Sequence, residues 1–69
     1  MSDGINSRRA GVRAHAVRVF GNAERADRWL ARSNARMPDG RTPADLLETV
    51  HGAALVERVL GRIEHGIPL

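Results

Sequence analysis

A chain of 69 residues holds one domain, and a single core of that size yields only about 3–5 kcal/mol net. It contains no cysteine, which excludes disulfide staples and thiol chemistry, so burial against a second copy is the expected supplement and a dimer is anticipated. The formal net charge is +3 and all 11 basic residues are arginine, a modest surplus that permits a polyanionic partner without arguing for one.

Residues 1–6 are polar and contain a glycine, and they read as a flexible tail ahead of a helical domain over 7–69. From Ser7 the spacing turns helical: Ile5, Val12, Ala16, Val19 and Phe20 recur on one side, with Arg8, Arg9, Arg13 and Arg18 outside that stripe. Gly21 marks a stop and Asn22 an N-cap. The second helix carries Ala23, Ala26, Trp29 and Leu30 on one side, and Glu24 and Arg28 form an i,i+4 pair. Residues 33–41 read as a loop, with Pro38-Asp39-Gly40 as turn chemistry. Thr42-Pro43-Ala44-Asp45 is a helix start in which threonine caps, proline suits the first position and aspartate lies near free amides. The short helix that follows buries Leu46 and Leu47. Thr49 caps a last helix running to about His65, with Leu55, Val56, Val59, Leu60 and Ile63 as its core stripe. Gly66 closes that helix as a left-handed cap and Pro68 forbids continuation. No stretch alternates as a strand does, so the expected fold is all-α: a compact bundle of about four short helices, with Trp29, Leu46, Leu47, Val56, Leu60 and Ile63 as its core.

The residues offer little to catalysis. Glu48-Thr49-Val50-His51 has the Glu-x-x-His spacing of dimetal bundles, but such sites need the motif twice with two further carboxylates, and here it occurs once across a helix break. Glu64 and His65 are adjacent in a helix and point apart. No nucleophile lies at a useful spacing from a base and no glycine-rich loop could cradle a phosphate, so a non-enzymatic binding module without metal or cofactor is expected. The arginines of the first helix could follow a phosphate backbone. One tryptophan, one phenylalanine and no tyrosine leave little for base stacking, and Trp29 reads as a core anchor. The end, Glu64-His65-Gly66-Ile67-Pro68-Leu69, has two readings: Ile67 folds back on Leu60 and Ile63, as residues beyond a glycine cap do, or the segment is a short apolar peg for a partner's cleft. No apolar run follows Met1 and none is long enough to cross a bilayer, so a cytoplasmic location is anticipated.

The series Val19-Phe20-Gly21, Ala26-x-x-Trp29-Leu30, Gly40-Arg41-Thr42-Pro43-x-x-Leu46-Leu47, Gly52-Ala53-x-x-Val56 and Leu60-Gly61-Arg62-Ile63-Glu64-x-Gly66 resembles the toxin-binding domain of Xre/MbcA/ParS-type antitoxins. The similarity runs from about Val12 to the end. It implies a dimerising helical domain of a type II toxin–antitoxin system that holds a RES-type toxin acting on NAD, with the antitoxin's C-terminal segment closing the toxin's NAD cleft. Carried onto this chain, Glu64, His65, Gly66, Ile67, Pro68 and Leu69 become the toxin-binding end. Members of the family carry a longer N-terminal helical region that binds their promoter. About twenty residues precede Gly21, too few for a helix-turn-helix unit, so DNA binding is not expected of these residues. A small arginine-rich nucleic-acid-binding protein and a dimerisation adaptor without a toxin stand as the alternatives.

Overall fold

A computed structural model describes residues 3–33 and 37–66. Four helices follow in order: α1 Asp3–Phe20, α2 Ala23–Ala31, α3 Pro43–Leu46 and α4 Val50–His65, with a 3-10 turn at Pro38–Gly40 before α3. Among the described residues there is no strand, so the all-α reading holds. The first helix starts at Asp3, four residues ahead of the reading from Ser7. Once a helix is nucleated, each further residue adds a hydrogen bond, and polar residues are no barrier to that extension.

Local capping fixes the element boundaries. The Asn22 side chain accepts from the Arg25 amide at 2.9 Å. Thr42 and Asp45 form a reciprocal box: Thr42 Oγ1 accepts from the Asp45 amide at 3.1 Å, and the Thr42 amide donates to Asp45 Oδ2 at 3.4 Å. Thr49 Oγ1 accepts from the Gly52 amide at 2.9 Å, and each such cap stabilises by about 1 kcal/mol. Gly66 takes φ 68°, the left-handed geometry that ends helices most cheaply, and its amide donates back into the last turn.

Helix α1 packs against both α2 and α4, and α3 bridges α2 and the start of α4. Helices α1 and α4 run in roughly the same sense. Arg8 Nη1 donates to the Leu47 carbonyl just ahead of α4 at 3.0 Å, whereas His15, two turns on, meets Glu57 and Glu64 far along it. The core joins Val12 and Ala16 of α1, Ala26 and Leu30 of α2, Leu46 and Leu47, and Ala53, Val56, Val59 and Leu60 of α4. Leu60 and Val56 are fully enclosed, each contributing about 1.5–3 kcal/mol by burial. Met37, in the segment read only as a loop, is also buried and closes the core from the connection.

Two of the anticipated core residues take other positions. Ile63 is 37 % exposed. In the last turns of α4 it is Glu64 that faces α1, and neighbouring helical residues point about 100° apart, so Ile63 is turned off the covered side. Trp29 is half-buried: Ala26 and Leu30 take the inward positions of α2, and the indole lies at the core margin against Phe20, ring centroids 5.6 Å apart and tilted by 45°. Ile5, at the start of α1, is likewise at 36 % exposure and lies outside the core.

Candidate functional site

The sequence singles out the end of α4, and the geometry there rests on a contact with α1. Glu57 and Glu64 are seven residues apart, two turns along one edge of α4. Between their carboxylates lies the ring of His15 from α1: Nδ1 is 3.1 Å from Glu57 Oε2, and Nε2 is 3.1 Å from Glu64 Oε1. The histidine side chain is 12 % exposed, whereas the two carboxylates reach water at 46 % and 39 %. The hydrogen bond from His15 holds the Glu64 carboxyl below the usual carboxylate range. Desolvation works against that shift, and the charges of His15, His65 and Arg18 work with it.

Of the residues assigned to the toxin-binding end, Glu64, His65 and Gly66 are exposed and close α4 together. Ile67, Pro68 and Leu69 lie outside the described residues, as does the reading in which Ile67 folds back. The end of α4 therefore presents Glu64, anchored to α1, and His65, outside that contact, beside a glycine that redirects the backbone.

The basic face of α1 is partly committed within the molecule. Arg13 forks onto Asp27 of α2 at 2.7 and 3.0 Å. That fork lowers the aspartate pKa and raises that of the guanidinium, in each case mainly through the side-chain hydrogen bond. Arg8 is held on the Leu47 carbonyl. The Glu48 and His51 pair does not share a helix face, because Thr49, with φ −121° and ψ 155°, interposes an extended residue. Among the described residues, no group of three histidine, aspartate or glutamate side chains is placed to hold a metal ion. A shallow groove of about 390 Å³ lies between the first halves of α1 and α4, lined by Ser7, Gly11, Val50, Ala53 and Ala54, with Val50 67 % exposed.

The model of the antitoxin Xre/MbcA/ParS C-terminal toxin-binding domain matches residues 15–66. The chain belongs to this antitoxin family. That stretch runs from the clamping histidine to the glycine cap. Two relatives, each named antitoxin Xre, are similar to it: one from Pseudomonas putida, 40 % identical over 62 residues and 90 % of this chain, and one from Photorhabdus laumondii, 42 % identical over 57 residues and 81 % of it. The chain spans 38 % of the length of either relative. No solved structure matches it.

Reading the sequence alone overlooked His15 and Glu57. Their signal was faint: two carboxylates at i and i+7 flanking the core stripe of α4, and one histidine next to Ala16 on the buried side of α1. It assigned Gly52 no packing role. An added Cβ there would collide with the Leu46 carbonyl oxygen and sit 2.9 Å from Thr49 Oγ1, so the absent side chain lets α3 close on α4.

Proposed function

We propose that this domain neutralises a toxin by direct binding, that the toxin is of the RES type and acts on NAD, and that the C-terminal end blocks its NAD cleft. The single observation carrying the proposal is the family match over residues 15–66, which ends where α4 delivers Glu64, His65 and Gly66 to the surface. A segment leaving the end of a capped helix loses little entropy on entering a cleft, because its starting point and direction are already fixed. A dinucleotide cleft takes a mixed polar and apolar ligand, and Glu64 to Leu69 carries both characters. In this reading the chain performs no chemistry of its own and acts in the cytoplasm beside its target.

A symmetric dimer is part of the proposal. The exposed Val50 and the apolar groove beside it supply surface for it, and a domain this small gains stability from such burial. Sedimentation at micromolar concentration is expected to return twice the chain mass, and a monomer at every concentration would remove that part. A nucleic-acid-binding role draws less support, because Arg8 and Arg13 are engaged inside the molecule.

The toxin proposal is tested by purifying the protein encoded by the gene adjoining this one and following NAD loss as the chain is titrated in. Stoichiometric suppression of NAD loss is expected. Unchanged NAD consumption at saturating chain, or an adjoining product without activity on NAD, contradicts the assignment.

A further inference from the structure

We infer that His15 is a positioning residue for the partner-binding end: as an imidazolium held between Glu57 and Glu64, it fixes the last turn of α4 against α1, and neutralising the ring releases that turn. The inference rests on the proposed function for its biological meaning, but the clamp is a property of this chain alone.

Hydrogen-bond stoichiometry carries the argument. Ionised carboxylates only accept, and a neutral imidazole has one N–H while its other nitrogen is an acceptor. His15 has a carboxylate oxygen 3.1 Å from each ring nitrogen. Both contacts are hydrogen bonds only when both nitrogens carry protons. In the neutral ring one carboxylate faces a nitrogen lone pair and must turn away. That movement is easy for Glu57 or Glu64, which reach water, and hard for the nearly enclosed ring. Imidazoles exchange these two states between about pH 5 and 8.

The other charges nearby leave the clamp intact. Arg18, one turn further along α1, and His65, next to Glu64, both favour the ionised Glu64. The second element packed on α1 is α2, whose Asp27 is taken by Arg13, and Arg8 is taken by the Leu47 carbonyl. Helix α4 opposes His15 with Glu57 and Glu64 themselves. The contact bridges 42 and 49 residues of sequence, so it governs how the last turn of α4 is held on α1 and how readily that turn frays, and not whether the rest of α4 is helical. Ion pairs at the edge of water typically contribute little, which makes this a control on the last turn and not a determinant of the fold.

The experiment uses the intact chain, with 15N shifts of the His15 ring and amide exchange of Ile63 to Gly66 followed from about pH 5.5 to about pH 8. At the lower pH both ring nitrogens should carry protons. Opening of the last turn, corrected for intrinsic exchange, should rise about threefold toward the higher pH. His15→Gln, with one donor group, should open to the higher level at both pH values, and His15→Arg, a permanent forked donor, should stay protected at both. A ring with one protonated nitrogen at the lower pH, or exchange independent of pH in the parent chain, overturns the inference. In a second arm, the chain is titrated against the toxin partner put forward under the proposed function. His15→Gln should weaken inhibition about threefold at the lower pH and His15→Arg should restore it. Equal inhibition by all three chains overturns the positioning role. A parent chain that switches in the exchange experiment yet inhibits no toxin keeps the clamp and contradicts the proposed function instead.

Discussion

Over its first two turns α4 is fixed by a cap and by close packing: Thr49 Oγ1 caps it, Gly52 lies against the Leu46 carbonyl, and Ala53 and Val56 are buried beneath. At its last turn the same helix is held by a histidine between two half-exposed carboxylates, with Ile63 left partly in water. The first kind of contact is insensitive to solution conditions and tolerates almost no change of shape. The second tolerates changes of shape but answers to pH and salt. The proposed partner-binding role benefits from that division: one end is rooted in the core, and the other is left adjustable without unfolding the domain.

If this division is correct, substitutions should fall into steps along α4. The largest effect is expected from Leu60→Ala. It empties a fully enclosed site and should cost about 2–5 kcal/mol, most of what a domain of this size possesses. Chemical denaturation should show a lowered midpoint or a chain already unfolded, and a loss under about 1 kcal/mol would mean that the core is looser than described. Gly52→Ala comes next. Helix propensity alone favours alanine by about 1 kcal/mol, yet the collision with Leu46 should reverse the sign and leave a net loss of about 1–3 kcal/mol. A gain in stability would break the claim that the start of α4 is rigidly seated.

The smallest effect belongs to the other end, and its sign follows from Glu64. Hydrogen bonding to His15 lowers its folded-state pKa, so between the unfolded and folded values the unfolded chain binds more protons. The stabilisation is fully present above the unfolded value and is lost as pH falls through the folded one. Acid unfolding followed by circular dichroism from about pH 6 to about pH 3 should therefore be slightly shallower for Glu64→Gln than for the parent chain. A steeper dependence in the variant would contradict the assigned contact.

The legibility of the molecule divides along a similar boundary. Asn22, Thr42 with Pro43 and Asp45, Thr49 and Gly66 announce their caps because each acts within four residues of itself. Leu46, Leu47, Val56 and Leu60 follow from periodicity, since any covering element buries the middle of an apolar stripe. The edges of the stripe are another matter. Whether Ile63 or Glu64 faces inward depends on where α1 crosses, and α1 is set by contacts far away in sequence. Trp29 yielded its anchoring place to Leu30 and Ala26 for the same reason. His15 was invisible because its partners lie 42 and 49 residues away, a register no local pattern encodes. The family, in contrast, was readable in the series ending Arg62-Ile63-Glu64-x-Gly66, and the match over residues 15–66 agrees with it.

Inhibition through the C-terminal end is tested most directly by a chain that stops at Gly66, co-expressed with the proposed RES-type toxin partner, with cellular NAD as the readout. The shortened chain should keep its helix content by circular dichroism and fail to preserve NAD, whereas the parent chain preserves it. Equal preservation of NAD by the two chains would contradict a blocking role for Ile67, Pro68 and Leu69.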